Sequence, residues 1–137
     1  MLDTNVLVAA LRSKEGASAE ILRAAHDGRI TAIASVALFA EYEAVLTRPE
    51  HLAAAGVKAE EMVAALDALA AKIDPSAPHC SWRPQLGDPD DEMVLEAAVN
   101  GGADAIVTFE GATFREPAQR FGIDVLTPGA FYVKVLV

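Results

Sequence analysis

The sequence alternates short apolar runs with longer amphipathic segments, and this alternation limits the folds that the chain can adopt. Ile30 to Ala34 and Ala105 to Thr108 have the length and composition of buried strands. Three other segments carry apolar residues at helical spacing: Ser18 to His26, a segment that Ser35 caps and Pro49 ends, and Lys58 to Ile73. Strands that alternate with helices predict an α/β fold with a mostly parallel central sheet flanked by helices.

The same pattern extends to both ends of the chain. Leu2-Asp3 indicates the end of a strand that leads into a helix, and this first strand is either unusually short or incomplete. Asp88 to Asn100 is predicted to be helical, with Gly101 ending the helix. Val125 to Leu126 indicates a short strand, and Pro128 opens a terminal helix. Functional groups of such folds gather at the carboxyl ends of the strands.

The size and composition of the chain favour one soluble domain spanning residues 1–137. With 137 residues, of which 53% are hydrophobic, it can bury a core without disulfides or a structural metal. Its apolar runs are too short to cross a bilayer, so we expect a cytoplasmic protein without membrane contact. The single cysteine, Cys80, has no partner for an intrachain disulfide, and we interpret it and His79 as ordinary loop residues.

Charge at first argues against nucleic-acid binding. Eleven basic and twenty acidic residues give a net charge of -9, which excludes a broad cationic surface. The objection weakens if several acids face one another, because such a cluster would be tolerated chiefly by binding cations. Trp82 and Phe109 can stack on bases, but loop anchoring and core packing are more common fates of aromatic residues, and we assign no role to either. Five basic residues are consistent with phosphate contacts or with solvated surface charge: Arg12, Lys14, Arg48, Arg83 and Arg115.

Two isolated carboxylates lie within apolar surroundings. Asp3 has apolar residues on both sides, so it must be paired or bind something, although it is also a suitable N-cap for the helix that follows. Glu41 lies on a predicted helix near the apolar side that contains Leu38 and Val45. It is equally consistent with a solvated glutamate whose stem covers that side. We treat both carboxylates as candidate site residues.

Four acids within five residues, Asp88-Pro89-Asp90-Asp91-Glu92, form the densest charge in the sequence. Asp88 suits an N-cap, and acids in a first turn complement the helix dipole. Capping needs only one or two of these acids, and the remaining like charges repel one another. Asp88 and Asp91 are three residues apart and therefore share one helix face. We interpret Asp91 as the better metal ligand and Asp88 as partly a cap.

Carboxylates without a cluster of histidines or cysteines suit Mg²⁺ or Mn²⁺ better than zinc or copper. Two such ions can activate water and stabilise the leaving oxygen of a phosphodiester. The residues therefore favour metal-dependent phosphodiester hydrolysis.

These motifs resemble the PIN domain family, which includes toxins of bacterial toxin–antitoxin operons. The resemblance covers nearly the whole chain. It rests on the order and spacing of five features: Leu2 to Leu7, Glu41, Asp88 to Glu92, Ala103 to Thr108, and Gly122 to Pro128. It implies a PIN-like three-layer sandwich, Mg²⁺- or Mn²⁺-dependent cleavage of RNA, and a homodimer bound by an antitoxin protein.

The resemblance also assigns roles to individual residues. Asp3, Glu41 and Asp91 match the catalytic and metal-binding acids of the family, and Asp88 is an auxiliary ligand. Asn5 matches a polar position near the site, and Thr4 is expected to orient Asp3. After the strand that ends at Thr108, the family commonly has Asp or Asn and, three residues later, Asp. This chain has Glu110 and Thr113 at those positions. Glu110 can still reach a metal, whereas Thr113 contributes no charge.

Two other interpretations remain open. A haloacid-dehalogenase-like phosphatase also begins with an aspartate at a strand end, but it normally has a second acid two residues later, where this chain has Asn5. A catalytically weak PIN-like module that binds RNA or a protein is favoured by the departures at Glu110 and Thr113. Metal binding and RNA cleavage discriminate between these interpretations.

Overall fold

The computed structural model describes residues 1–76 and 86–137. The predictions for His79, Cys80, Trp82 and Arg83 fall outside the described residues. Within those two ranges the helices are α1 (Thr4–Arg12), α2 (Ala17–His26), α3 (Val36–Leu46), α4 (Pro49–Ala55), α5 (Ala59–Ala70), α6 (Pro89–Asn100), α7 (Gly111–Gln119) and α8 (Pro128–Phe131), which continues into a π-helical turn (Tyr132–Leu136). The strands are β1 (Ala32–Ala34), β2 (Ile73–Pro75), β3 (Ala105–Val107) and β4 (Asp124–Leu126).

All of the described strand pairs are parallel. β1 pairs with β2, with Ala32 opposite Ile73, and β3 pairs with β4, with Ala105 opposite Asp124. The start of the chain runs beside β3, where Leu2 forms a single parallel bridge with Val107. Helices separate consecutive strands, which confirms the predicted α/β fold. The strands are shorter than the apolar runs suggested, and among the described residues they form two separate pairs rather than one continuous sheet.

Local capping explains where several helices begin. The Ser35 hydroxyl oxygen accepts the Leu38 N–H at 3.0 Å, and the Thr127 hydroxyl oxygen accepts the Ala130 N–H at 3.1 Å. Both caps satisfy an N–H that has no partner within the helix. The predicted starts of α3 and of the terminal helix at these residues are confirmed.

Two predicted helix boundaries were wrong. Pro49 does not end α3, which stops at Leu46; instead, Pro49 is the first residue of α4. Proline is favoured at that position because the first N–H of a helix has no intrahelical acceptor. The helix predicted to reach Ile73 stops at Ala70, and Ile73 enters β2. Pairing with β1 therefore outweighs the helical spacing of Ile73.

The core lies between α1, α2, α3, α6, α7 and β3, each of which supplies almost completely buried side chains. Leu7, Leu38, Leu95 and Ile106 have relative exposures of 1% or less. Tyr42 is also buried, and its hydroxyl donates a hydrogen bond to the Leu2 carbonyl oxygen. This bond fixes α3 against the first residues of the chain. None of the helices in the described ranges is long and apolar enough to cross a membrane.

The turn after α6 leaves no room for a side chain at Gly101. A Cβ atom there would lie 2.4 Å from the Ile33 Cγ2 atom and 3.0 Å from the Ala97 carbonyl oxygen. The Ile33 side chain is branched at Cβ and the Ala97 oxygen belongs to the backbone, so neither neighbour can move easily. The requirement for glycine at this position is therefore steric.

We expect Gly101→Ala to lower the free energy of unfolding by about 1–3 kcal/mol, the usual range for overpacking. Gly129→Ala is the matched control, since a Cβ atom at Gly129 meets nothing within 4 Å. The control should be neutral or slightly stabilising within its helix. Urea denaturation measures both variants, and equal stabilities would contradict the packing described here.

Candidate functional site

Asp3 occupies the carboxyl end of the first extended residues and caps α1. Its Oδ1 atom accepts the Thr4 N–H at 2.8 Å, and its Oδ2 atom accepts the Thr108 hydroxyl at 2.6 Å. Its own N–H donates to the Val107 carbonyl oxygen at 3.0 Å. Burial raises the pKa of Asp3, the bonds from Thr108 and Thr4 oppose this effect, and the charge of Glu110 adds to it. Asp3 is therefore an N-cap and also a member of a charged cluster.

Glu41 is joined to Asp3 through Thr4. The Thr4 hydroxyl donates to the Glu41 Oε2 atom at 2.8 Å, while the Thr4 N–H is bound to Asp3. The prediction that Thr4 orients Asp3 therefore applies to its backbone, and its side chain holds Glu41. Burial raises the pKa of Glu41, the bond from Thr4 lowers it, and the charges of Asp90 and Asp3 raise it again. One threonine thus connects two of the candidate ligands.

The acidic segment begins α6, as its sequence predicted. Asp88 is the N-cap, with its Oδ1 atom accepting the Asp90 N–H at 2.9 Å, and Pro89 is the first helical residue. Asp91 lies half-buried in the first turn. Burial raises its pKa to about 6, with further contributions from the charges of Asp88, Glu110 and Asp3. The pKa of Asp91 is therefore raised by acids of its own segment and of two other parts of the chain, Asp3 and Glu110.

Glu92 differs from its acidic neighbours. It is buried, and its Oε2 atom accepts the Leu86 N–H at 2.7 Å. This bond ties the first turn of α6 to the residues that precede it. Glu92 thus has a structural contact, as Asp88 does through its cap.

Thr108 completes the site, although its residue type did not single it out in the sequence. It is fully buried, and its Oγ1 atom accepts the Glu110 N–H at 3.0 Å while its hydroxyl donates to Asp3. The available signal was a hydroxyl residue that directly follows the apolar run of β3. Such a residue at a strand end can turn toward a neighbouring carboxylate. Thr108 is therefore a positioning residue for Asp3 and for the backbone at Glu110.

The margin of the site contains Asn5, Phe109 and Glu110. The Asn5 Oδ1 atom accepts the Phe109 N–H at 3.5 Å, which is a long contact. Phe109 is 54% exposed and does not belong to the core, and Glu110 is also exposed. Thr113 lies in the first turn of α7, where its N–H donates to the Glu110 carbonyl oxygen at 3.0 Å. It contributes no charge to the cluster.

The five predicted ligands thus come from four places that the fold brings near one another: Asp3 before α1, Glu41 on α3, Asp88 and Asp91 at the start of α6, and Glu110 after β3. Within the described residues, no three His, Cys, Asp or Glu side chains are already grouped closely enough to hold one ion. The structure therefore brings carboxylates within range of mutual electrostatic repulsion. All of these donors are carboxylate oxygens, which are the ligands that Mg²⁺ and Mn²⁺ prefer.

The raised pKa of Asp91 leads to a prediction about stability and pH. The pKa of Asp91 rises from 3.8 to about 6 on folding. The contribution of Asp91 to the free energy of unfolding is therefore fully present below the unfolded pKa and is lost as the pH rises through the folded pKa. At about pH 8 and without divalent metal, Asp91→Asn should therefore melt roughly 2–4 °C above the wild type, allowing for solvent screening of a half-exposed group.

This difference should vanish toward about pH 4. Asp67→Asn, which removes an exposed carboxylate from α5, is the control and should change the melting temperature little at either pH. Thermal melts followed by circular dichroism measure both variants. An Asp91→Asn melting temperature that stays equal to that of the wild type would contradict the electrostatic description of the site.

Comparison with known proteins adds a family assignment to this geometry. A family model described as the PIN domain matches residues 1–112, which include all five carboxylates. No curated protein and no solved structure gives a significant match to the chain. PIN domains have an α/β fold and generally act as nucleases, in agreement with the parallel strands and the clustered acids. The match extends over well more than half of the 137 residues, so the chain belongs to the PIN domain family.

Proposed function

We propose that residues 1–137 form one catalytic domain, a Mg²⁺- or Mn²⁺-dependent endoribonuclease whose principal carboxylates are Asp3, Glu41 and Asp91. The observation that carries this proposal is that burial and nearby negative charge raise the pKa of all three, although they come from separate parts of the chain. Groups with perturbed pKa values that converge in space are typical of functional sites.

A purely structural role explains this arrangement less well. Asp88 alone caps α6, and Asp3 alone caps α1. Neither cap requires Glu41 or Asp91, and both of these carboxylates are less stable as anions in the folded chain than in water. A divalent cation would reverse this penalty, because it favours the ionised form of every carboxylate around it.

Each residue would contribute differently. The hydrogen bonds from Thr4 and Thr108 hold Asp3 in one orientation, so it is the fixed ligand. Thr4 also limits the positions of Glu41. Asp91 would approach the cation from α6, and Asp88 and Glu110 lie at the margin as additional ligands. When bound, the metal would activate water and stabilise the leaving oxygen of the phosphodiester.

RNA is the substrate that family membership favours, since PIN nucleases generally bind RNA. The resemblance to toxins of toxin–antitoxin operons further suggests a cytoplasmic toxin that acts as a homodimer and is bound by a cognate antitoxin. Apolar side chains near the end of the chain suit such contacts: Val133 is 68% exposed and Val137 is 83% exposed. Exposed apolar residues of this kind are common at protein interfaces.

A second candidate is a PIN-fold module that binds RNA or a protein with little catalysis. Thr113 favours it, because it lies in α7 without a charge where the family commonly has an acid. Glu110 is exposed and one methylene longer than the aspartate common at its position. The two candidates differ in whether bound RNA is cut.

The first test is cleavage of a mixed RNA pool in the presence of Mn²⁺. We expect the wild type to cut RNA and EDTA to abolish cutting. Asp91→Asn should reduce the rate at least about a hundredfold, because loss of a metal ligand should lower activity more than loss of a residue that only hydrogen-bonds a ligand. Asp67→Asn should behave as the wild type. Cutting that survives both EDTA and Asp91→Asn would refute this mechanism, and binding without cutting would establish the second candidate.

The second test measures metal binding without RNA. Calorimetric titration with Mn²⁺ should give an affinity that falls roughly 10–100-fold in Thr108→Val, because the hydroxyl that orients Asp3 is lost while the shape is kept. Thr47→Val is the matched control, since the Thr47 hydroxyl at the end of α3 donates to the Glu43 backbone carbonyl oxygen and to no carboxylate among the described residues. Asp3→Ala should bind more weakly still. Equally weak binding by the wild type and Asp3→Ala would rule out the metal site.

A further inference from the structure

A group of basic side chains lies at the C-terminal ends of α1 and α3, the helices that also position Asp3 and Glu41. Arg12 is the last residue of α1, and Arg48 lies two residues beyond the end of α3. The Arg12 Nη2 atom is 3.3 Å from the Nδ1 atom of His51. His51 and Arg48 leave the same turn, because the His51 N–H donates to the Arg48 carbonyl oxygen at 3.0 Å. We call Arg12, Arg48 and His51 the basic cluster.

Two helices connect this basic cluster to the carboxylates. At one end, the Thr4 hydroxyl on α1 bonds Glu41 on α3; at the other end, Arg12 contacts His51 on α4. Asn5 and Arg12 are seven residues apart on α1, so they lie on one side of that helix about 10 Å apart along its axis. Arg48 follows the end of α3 as the N-cap of α4, and its charge reaches Glu41. α1 packs against both α3 and α4. The residues named above therefore lie along one continuous surface strip, formed by α1, α3 and the start of α4.

The strip is open to solvent. Arg12 and Arg48 are exposed, and Asn5, Glu41 and His51 are half-buried. Arg48 is also the positive charge that lowers the pKa of Glu41 against the surrounding acids. A chain with a net charge of -9 thus presents positive charge directly next to its acidic cluster.

The hydrogen-bonding groups of the basic cluster suit a phosphate. Arginine offers a planar fork of N–H donors that matches phosphate oxygens. The His51 ring contacts the Arg12 guanidinium and so limits its orientation. The guanidinium groups of Arg12 and Arg48 supply only donors toward a ligand. The carboxylates repel a negatively charged RNA strand, and these donors would offset part of that repulsion.

We propose that Arg12, Arg48 and His51 form a phosphate-binding subsite that holds the RNA backbone next to the phosphodiester to be cut. This inference rests on the proposed function and adds the path of the substrate to it. The subsite reads phosphate and not base, so it contributes affinity for any sequence. It also explains how an acidic protein can hold RNA without a broad cationic surface.

The test compares Arg48→Gln and Arg12→Gln with Arg29→Gln, which removes the same charge from an exposed position in the turn after α2. Binding of fluorescein-labelled single-stranded RNA is followed by anisotropy in EDTA over a range of KCl concentrations. Each cluster variant should raise the Kd about five- to tenfold and lower the salt slope by about one. Arg29→Gln should match the wild type, and Arg48→Lys should retain most of the affinity.

Cleavage with Mn²⁺ provides the second arm, in which the cluster variants should raise KM by a similar factor, and by more than they lower kcat. If the wild type cuts RNA but the cluster variants match Arg29→Gln in Kd, KM and salt slope, the subsite is wrong and the nuclease function stands. An acidic protein segment would then be the better ligand for these cations. If the wild type binds RNA through the cluster but does not cut it, the subsite stands and the nuclease function fails.

Discussion

The hydrogen bond between the Thr108 hydroxyl and Asp3 is the contact on which the rest of the site depends. It joins the beginning of the chain to the end of β3, across 105 residues of sequence. The same hydroxyl oxygen accepts the Glu110 N–H, so its own proton is directed to Asp3. Because both carboxylate oxygens of Asp3 then accept hydrogen bonds, the anionic form is favoured against the effect of burial.

A second hydrogen bond from a threonine hydroxyl to a carboxylate extends this network to α3. Thr4 uses its N–H for Asp3 and its hydroxyl for Glu41, so neighbouring carboxylates are held without any basic residue between them. Tyr42, one residue after Glu41, donates to the Leu2 carbonyl oxygen from the core side. Burial raises the pKa of Tyr42, so its hydroxyl remains a donor. Polar contacts on two faces of α3 thus position Glu41.

Much of this architecture was predictable from the sequence because the signals are local. Ser35, Asp88 and Thr127 cap helices through bonds to residues two or three positions away, and the apolar run at Ala105 to Thr108 contains β3. The candidate acids were recognisable because charge among apolar residues needs an explanation. The α/β fold and the PIN resemblance followed from the order of these elements.

What the sequence did not predict depends on contacts between distant residues. Thr108 was not recognised, because a threonine at a strand end is unremarkable until Asp3 is seen beside it. The role of Thr4 was only half anticipated, since Glu41 lies 37 residues away. Ile73 has helical spacing but pairs with Ala32 on another strand. Likewise, nothing in the spacing of Arg12 and His51 indicates that α1 and α4 bring them together.

The distance along the chain between Asp3 and Thr108 also bears on synthesis. Translation makes the capping aspartate 105 residues before its hydroxyl partner. Contacts of such high sequence separation form late, because a long loop must close first. A nascent chain that does not yet include Thr108 therefore holds an incomplete cluster. The complete site can form only after Thr108 has been synthesised and has packed against Asp3.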